Sequence, residues 1–467
     1  MAARSVLPFP TIGELPDRWR VKPLGAICKK IGTGSTPRGG SEVYLSTRVT
    51  HALVRSQHVF DRRFETAGIV YISDAHAHEL RSAEIQPSDL LLNITGDGVT
   101  FGRACMVPTG VLPACVNQHV SIIRPDPREC DPGYLLSVLT HPAAKGYIES
   151  FNSGGSRRAI TKAHIEAFQI PLPPIEEQRA VTSILGALDD KIELNRRMNA
   201  TLEAMVRALF QSWFVDFDPV RAKLDGRQPH GLDAATAALF PDRFAESPIG
   251  LIPSRWRATT LAQACDANGG IQTGPFGTQL HAADYVEEGV PSIMPSDLRD
   301  NRIDTSSISR IREEDAARLS NYRVETGDIV YSRRGDVERR SLIRAEQAGW
   351  LCGTGCLRVR FGPTGLNPLF GASYLGSAEA RAWVVRHAVG ATMPNLNTSI
   401  LGALPVVVPS PELQARFAEI VGPWDAQGTV VLNQSRSLAS LRDALLPKLL
   451  SGELSVASAF KALDTAA

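Results

Sequence analysis

The sequence lacks the features that mark membrane proteins, disulfide-stabilised proteins and common nucleotide-binding enzymes. It has no run of 18 uncharged apolar residues, so we expect no transmembrane helix and no membrane partner. Its seven cysteines are scattered and odd in number, which favours a reducing, cytoplasmic compartment over disulfide pairing. It contains no Gly-Lys dipeptide, and this excludes a P-loop.

Signatures of catalytic and metal sites are equally sparse. Cys352 and Cys356 have no second Cys or His pair at ligand spacing, so we expect no metal site. The acidic pair Asp189-Asp190 followed by Lys191 resembles part of a nuclease triad, but it stands in a helical pattern and favours a solvated helix face. Serine, histidine and aspartate are too dispersed to form a triad. We therefore expect no catalytic residue and no cofactor bound by this chain.

The overall charge is almost balanced. The 467 residues contain 50 Lys and Arg against 49 Asp and Glu, so the net charge of +1 argues neither for nor against a nucleic-acid partner. The length allows two to four domains. How the charges cluster is therefore more informative than their sum.

The most regular pattern lies between Pro171 and Trp213. Apolar residues and two asparagines recur there in alternating steps of four and three, which predicts a coiled-coil seam of about 58 Å at about 1.5 Å per residue. Asparagines in mid-seam lower stability but fix register, so Asn195 and Asn199 are the predicted register lock. The seam residues are Val181, Leu185, Leu188, Ile192, Asn195, Asn199, Leu202, Val206 and Leu209.

An internal repeat divides the chain into two halves. Five pairs of segments keep their order at offsets of 236 to 239 residues, so the halves are divergent copies of one unit. The pairs are 15–20 with 252–257, the Gly-rich stretches 32–40 with 269–280, 89–97 with 328–336, 154–161 with 390–397, and 172–178 with 408–414.

The repeat also predicts a partner for the first coil. The second copy runs from residue 412 to about residue 450 and most simply packs antiparallel against the central helix. Gly422, Pro423 and Gly428 predict a break in its first half. Its expected apolar stripe comprises Leu432, Leu438, Leu441, Leu445 and Leu449.

Each half combines strands and helices without strict alternation. The predicted fold class is therefore α/β (mixed α+β), with two globular lobes joined by two long antiparallel coiled-coil helices and a pseudo-twofold repeat. The predicted regions are lobe one at 1–170, a central helical region and linker at 171–250, lobe two at 251–408, and a distal helical region at 409–467. Strands are expected at 69–72, 90–94, 116–123, 168–172, 329–331, 357–361 and 404–408, and helices at 134–150, 233–239 and 369–389.

Basic and amide side chains cluster at corresponding places in the two lobes. Arginine pairs bind phosphate or read guanine, and glutamine suits adenine. Each pair taken alone is better explained by a solvated charged surface, and it is their recurrence in both lobes that favours DNA binding. In lobe one the candidate DNA-binding residues are Arg38, Arg55, His58, Arg62, Arg63, Arg157 and Arg158. In lobe two they are Gln272, Gln279, Arg333, Arg334, Arg339 and Arg340.

Several motifs together resemble those of a known family. They are the proline-to-helix segment 170–220, DLLLNITG at 89–96, VNQHVSIIRP at 116–125, GPFGTQL at 274–280 and GDIVYSRRG at 327–335. Over almost its whole length the chain resembles the specificity (S) subunit of type I restriction-modification systems.

The resemblance implies a function for each region. Lobes one and two would be target-recognition domains, each reading one half of an asymmetric, interrupted site in double-stranded DNA. The helical regions would set the spacer and dock two methyltransferase (modification) subunits, which hold S-adenosylmethionine. Motor-nuclease (restriction) subunits, which use ATP and Mg²⁺, would join that core, and the specificity subunit itself would be non-catalytic.

Two other interpretations stay open. The chain could serve as the specificity subunit of a bipartite type II restriction-modification enzyme. It could also be a protein–protein scaffold that does not bind DNA.

Overall fold

The computed structural model describes residues 15–152, 158–276, 279–299, 301–390, 392–455 and 458. Contacts divide the chain into two units, the first running to Arg196 and resuming at Leu432, the second spanning Arg197–Val431. Both boundaries fall inside long helices, Ile175–Phe214 (the central helix) and Pro411–Ser451 (the distal helix). Each unit thus joins one lobe to parts of both helices, whereas the predicted regions separate lobes from helices.

The first unit contains short strands and helices around lobe one. Its strands are Arg20–Pro23, Cys28–Thr33, His51–Val54, Val59–Phe60, Arg63–Phe64, Val70–Ile72, Leu90–Asn93, Thr95–Gly96, Ala104–Met106, Ala114–Val116, Val120–Pro125, Arg158–Ala159 and Gln169–Leu172. Its shorter helices are Asp74–Glu79, Pro132–Thr140, Pro142–Ser150 and Lys162–Glu166.

The second unit contains the corresponding elements of lobe two and the linker before it. Its strands are Phe244–Ala245, Ile252–Pro253, Arg257–Thr260, Gly270–Thr273, Tyr285–Val286, Val290–Ile293, Leu298–Arg299, Arg302–Ile303, Ser309–Ile311, Ile329–Ser332, Arg340–Leu342, Leu351–Cys352, Cys356–Arg360 and Pro405–Val408. Its shorter helices are Asp218–Leu224, Ala234–Ala238, Leu261–Ala264, Glu313–Arg318, Pro368–Leu375, Ala378–His387 and Thr398–Gly402.

The main sheet has the same topology in both units, which confirms the internal repeat. Each main sheet is four-stranded and antiparallel throughout. In the first unit the order is Cys28–Thr33, Val120–Pro125, Leu90–Asn93, Ala104–Met106. In the second unit it is Gly270–Thr273, Cys356–Arg360, Ile329–Ser332, Arg340–Leu342.

A buried ion pair recurs at the same place in each sheet. Asp89 accepts hydrogen bonds of 2.7 and 2.8 Å from Arg124, and Asp328 accepts bonds of 2.8 and 2.6 Å from Arg360. Both carboxylates are almost fully buried. Asp89 also accepts a hydrogen bond from the backbone N–H of Gln86, and Asp328 accepts one from the backbone N–H of Glu325. The aspartates that begin the two repeated strand motifs are therefore structural.

A repeated glutamine attaches each lobe to the beginning of a long helix. Gln178 accepts a hydrogen bond from the Asp131 backbone N–H at 2.9 Å, and Gln414 accepts one from the Asn367 backbone N–H at 3.0 Å. Asp131 and Asn367 are themselves the N-caps of lobe helices, so each glutamine ties two helix starts together.

The predicted strands and helices are present with three local differences. The expected strand at 116–123 is two strands, separated by Asn117–His119. The helix expected at 134–150 is two helices because Pro142 begins a new one, with the His141 side chain accepting the Ala143 N–H. The helix expected at 369–389 is likewise two, since Ser377 caps the second.

The predicted seam of the central helix is buried or half-buried at every position, while most residues between the seam positions face solvent. In the first unit the two helices run antiparallel: Asp189 contacts Arg442, and Asn195 contacts Gln434. The core around lobe one includes Val181, Ile184, Leu185, Leu446, Leu449 and Leu450.

The helices also run antiparallel in the second unit, where aromatic rings dominate. Phe417 of the distal helix is fully buried among the rings of Phe210, Trp213 and Phe214, with centroid distances of 5.8, 6.2 and 5.3 Å. The lobe contributes Phe370, which lies 5.0 Å from Phe214.

The predicted break in the distal helix is wrong, because the helix is continuous over 41 residues. Pro423 and Glu419 are both exposed, so water can replace the backbone hydrogen bond that proline removes. A Cβ at Gly428 would lie 2.7 Å from Arg302 Nη2 and 2.8 Å from Asn199 Oδ1. Gly428 therefore allows close packing rather than ending the helix.

The predicted apolar stripe of the distal helix needs one correction. Leu438 and Leu445 are half-buried, but Leu441 is 37% exposed and does not lie in the seam. The residue that follows it, Arg442, points instead to the central helix and pairs with Asp189.

Asn195 is buried and donates a hydrogen bond of 2.9 Å to Gln434, whereas Asn199 donates to Glu203 of its own helix. Replacing Asn195 by leucine is expected to raise the free energy of unfolding by about 1 kcal/mol, because apolar burial outweighs the loss of the hydrogen bond to Gln434, whose exposed side chain stays hydrated. Chemical denaturation measures the change, and Asn433→Leu at an exposed position is the matched control. A less stable Asn195→Leu protein would contradict the expectation.

To test whether the two asparagines fix the register of helix pairing, both must be replaced. The variant with leucine at positions 195 and 199 should admit alternative helix pairings, visible as heterogeneous hydrogen exchange along the helices. A uniquely paired variant would remove the role of register lock.

Among the described residues, none of the helices has the length and hydrophobicity needed to cross a lipid bilayer.

Candidate nucleic-acid interface

Three loops meet at one end of the main sheet in lobe one. They follow strand Cys28–Thr33, follow strand Leu90–Asn93 and precede strand Val120–Pro125. The antiparallel register brings them together, since Thr33 pairs with Ser121 and Asn93 pairs with Val120. A Cβ at Gly34 would lie within 1.7 Å of the Val116 carbonyl oxygen, so only glycine lets the first loop lie against the third.

The side chains at this end of lobe one are polar and joined to each other. Thr95 Oγ1 lies 2.6 Å from His119 Nδ1, and Gln118 Nε2 lies 3.4 Å from His119 Nε2. The Thr36 hydroxyl donates a hydrogen bond to the Gln118 side-chain oxygen. Arg158 lies beside them because its strand pairs with Thr95–Gly96. The cluster offers donors and acceptors of several kinds on neighbouring loops.

Lobe two builds the same end from equivalent loops. Thr273 pairs with Leu357 and Ser332 with Cys356, which gathers the loops around 274–276, 333–339 and 353–355. A Cβ at Gly274 would lie 2.1 Å from the Gly353 carbonyl oxygen, the counterpart of the close contact at Gly34.

Arg333 and Arg334 lie on a backbone held by several hydrogen bonds. The Arg333 N–H donates to the Gly355 carbonyl at 2.8 Å, and the Arg333 carbonyl accepts from the Leu396 N–H at 2.8 Å. Ser332 donates its hydroxyl to the Arg334 carbonyl at 2.9 Å. Within the described part of the chain, neither guanidinium has an acidic partner within 4.0 Å. The exposed Arg334 and the half-buried Arg333 therefore place two positive charges on a loop whose backbone is hydrogen-bonded.

Large apolar side chains accompany these arginines. Phe276 in the first loop is 60% exposed, and Met393, next to the segment that bonds the arginine loop, is 63% exposed. In lobe one the comparable exposed residue is Val99, at 68%. Isolated exposed apolar residues are common, but on such loops they provide contacts for thymine methyl groups or base faces.

The structure separates the predicted DNA-binding residues of lobe one into three groups. Arg38 is exposed and has no acidic partner among the described residues. Arg63 and Arg158 are half-buried and pair with Glu65 at 2.9 Å and Glu149 at 2.6 Å, and Arg55 donates to the Gly68 carbonyl at 2.8 Å. Arg157 lies outside the described residues.

His58 and Arg62 do not lie on a free surface. His58 is fully buried, and burial lowers the pKa of its imidazole, which keeps the ring neutral. The Arg62 side chain is only 7% exposed and pairs with Asp189 of the central helix at 2.5 Å. The assignment of these two residues to DNA contact is contradicted by their burial.

The remaining predicted residues of lobe two have internal partners. Gln272 accepts a hydrogen bond from Arg358 at 2.7 Å, and Gln279 accepts one from the Tyr322 hydroxyl at 3.0 Å. Arg339 pairs with Asp336 at 2.8 Å, and Arg340 is half-buried against the Ala372 carbonyl. Arg333 and Arg334 are therefore the best placed of the six.

Sequence reasoning did not select Thr36, Thr95, Gln118 and His119 as site residues. Two of them, Gln118 and His119, lie in VNQHV at 116–120, a segment that carries part of the family resemblance. The available signal was the repeat: residues 117–119 occupy the position of 353–355, which adjoins the arginine loop of lobe two.

No reactive cysteine or metal centre occurs among the described residues. Burial raises the pKa of Cys352 to about 12 and raises that of Cys356 as well, so both thiols stay protonated. Asp189, part of the sequence that resembles a nuclease triad, forms ion pairs with Arg62 and Arg442.

Comparisons with known proteins agree with this arrangement. Residues 16–204 match the family model described as the type I restriction modification DNA specificity domain. The specificity subunit of type I restriction enzyme HindI from Haemophilus influenzae is 25% identical over 76% of this chain and 84% of that subunit. The MjaIX specificity subunit from Methanocaldococcus jannaschii is 22% identical over 95% of each chain.

A solved structure shows the same fold. The S subunit of a type I restriction-modification system from M. genitalium matches with a TM-score of 0.55 at 16% identity, covering 94% of this chain and 96% of that one. In sequence the chain is therefore similar to type I restriction-modification specificity subunits, and it has the fold of the solved S subunit.

Proposed function

We propose that this chain is the sequence-specific DNA-recognition subunit of a type I restriction-modification complex, with each lobe binding one half of a bipartite, asymmetric site. One observation carries the proposal. In each lobe, equivalent loops meet at the same end of that lobe's main sheet. The side chains on these loops differ between the two lobes. A repeated platform with different contact groups is what two different half-sites require.

The two platforms differ in chemistry. Lobe one presents hydroxyl, amide and imidazole groups around Gln118 and His119, together with Arg38. Lobe two presents Arg333 and Arg334 beside Phe276 and Met393. Arginines favour guanine or phosphate, and apolar groups favour thymine methyls, so we expect the half-sites to differ in base composition.

The helices supply surfaces for partner subunits. In the first unit Leu194 and Leu441 are 52% and 37% exposed, and in the second Met198, Met205 and Val430 are 37%, 40% and 60% exposed. Exposed apolar residues on helices otherwise packed by their seams favour protein docking. The proposed partners are two methyltransferase subunits, which hold S-adenosylmethionine, and motor-nuclease subunits, which use ATP and Mg²⁺.

The chain itself is proposed to be non-catalytic. Its role would be to place the target base of each half-site before a partner's active site. The Arg and Gln residues of the platforms would therefore act by binding DNA, not by chemistry.

Filter binding with the assembled methyltransferase complex tests the recognition role. We expect affinity that depends on sequence and falls steeply as salt rises, because phosphate contacts release counterions. Equal affinity for all duplexes, or none, would instead favour a protein–protein scaffold.

A further inference from the structure

An aspartate of the central helix joins three parts of the first unit. Asp189 accepts hydrogen bonds from Arg62 Nε at 2.7 Å and from Arg442 Nη1 at 2.9 Å. Arg62 lies at the turn of a lobe-one hairpin, and Arg442 lies on the distal helix. Arg62 also donates to the hydroxyls of Ser137 and Thr140 at 3.1 Å each. One carboxylate thus connects the recognition lobe with both helices.

An aspartate of the distal helix holds the lobe in the second unit, where both of its arginine partners belong to lobe two. Asp425 accepts bonds of 2.9 and 2.6 Å from Arg344 and lies 3.4 Å from Arg302 Nη2. Arg302, at a lobe-two hairpin, also donates to Thr429 at 2.7 Å. Gly428 leaves room for Arg302 beside Asn199 of the central helix.

The two aspartates are equivalent in the repeat. Their offset is 236 residues, the same as that between Gln178 and Gln414. The arginines that hold them are largely buried, with side-chain exposures of 7% for Arg62 and 9% for Arg344. Burial would raise the pKa of Asp425, but hydrogen bonds from Arg344 and the two positive charges outweigh it and leave the pKa below its usual value. Each unit therefore contains one aspartate, at the equivalent position of the repeat, that binds one or more arginines of its lobe.

We infer that Asp189 and Asp425 are alignment residues, which fix the orientation of each target-recognition domain on the helices in its own unit and thereby restrict the accepted spacer length. The inference rests on the proposed function. A spacer changed by one base pair moves a half-site by about 3.4 Å and rotates it by about a tenth of a turn. A domain held by directional arginine–carboxylate bonds cannot follow that movement, whereas a domain that pivots on its helix can.

The test compares methylomes of cells that carry the complete system with wild-type chain, Asp189→Asn or Asp425→Asn. Asparagine keeps the shape but removes the charge that orients two arginines. The matched controls are Glu176→Gln on the central helix and Glu419→Gln on the distal helix, whose pairs with Arg179 and Arg416 are exposed. Arg62→Gln is a second variant that leaves Asp189 paired with Arg442.

We expect both asparagine variants and Arg62→Gln to keep the wild-type half-sites. Methylation of sites with spacers one base pair longer or shorter should rise by at least about tenfold, as expected when a buried charge pair is broken. The two controls should retain wild-type spacing.

Methylation confined to the native spacer in all three variants would overturn the inference while leaving the proposed function intact. Loss of subunit assembly in both Asp189→Asn and Arg62→Gln would also overturn it, because the contact would then serve stability alone. A wild-type methylome without any bipartite motif would overturn the proposed function, and the inference with it.

Discussion

Replacing Phe417 by alanine is expected to lower the free energy of unfolding by about 3–5 kcal/mol, the usual cost of removing a large buried aromatic side chain. Phe417 is fully buried, and its ring contacts three aromatic residues of the central helix. The lobe packs on the same cluster through Phe370. Removing the Phe417 ring therefore leaves a cavity where both helices and the lobe meet in the second unit.

Denaturant unfolding followed by tryptophan fluorescence measures this effect, since Trp213 and Trp256 belong to the same core. Phe276→Ala is the control, because that ring is 60% exposed and its loss should change stability by no more than about 0.5 kcal/mol. A loss below about 1 kcal/mol for Phe417→Ala would show that the cluster does not hold the unit together.

Changing Arg333 and Arg334 together to alanine is expected to weaken DNA binding by the assembled complex by about thirtyfold or more if both contact bases. Each arginine contributes about 1–3 kcal/mol if it contacts a base, or lowers the salt slope by about one if it contacts phosphate. The backbone of this loop is fixed by hydrogen bonds that alanine retains, so subunit assembly should be unchanged.

Binding isotherms at several salt concentrations separate the two kinds of contact. Arg227→Ala with Arg243→Ala is the control, since it removes two exposed charges from the linker and should alter affinity little. Unchanged DNA affinity in the Arg333/Arg334 variant, or lost assembly, would place this loop away from DNA.

Much of the architecture could be predicted because it is repeated or periodic. The heptad pattern indicated the seam of the central helix, and the segment offsets indicated two lobes of one topology. The break predicted from Gly422, Pro423 and Gly428 does not occur, because helix propensity does not include tertiary packing. In the structure the ends of the Arg302 and Asn199 side chains pack close to Gly428 and would have to shift to admit a Cβ.

The candidate interface was only partly predictable. An exposed arginine and one that pairs with a helix look alike in sequence, and the partner of Arg62 lies 127 residues away. His58 was selected for its chemistry, but its burial depends on tertiary packing. The unpaired Arg333 and Arg334, in contrast, stand beside a glycine in a turn, which is where local sequence is informative.

Methylome sequencing tests the central claim, that two lobes read two half-sites at a distance set by the helices. It should be done in cells carrying the complete system, with wild-type chain and with a variant carrying one added heptad in each long helix, between Arg196 and Arg197 and between Val431 and Leu432. Wild type should methylate one asymmetric, interrupted sequence. In the variant, seven residues at about 1.5 Å each should lengthen the spacer by about three base pairs and leave both half-sites unchanged. An uninterrupted methylated motif in wild type, or a spacer of unchanged length in the variant, would contradict the account.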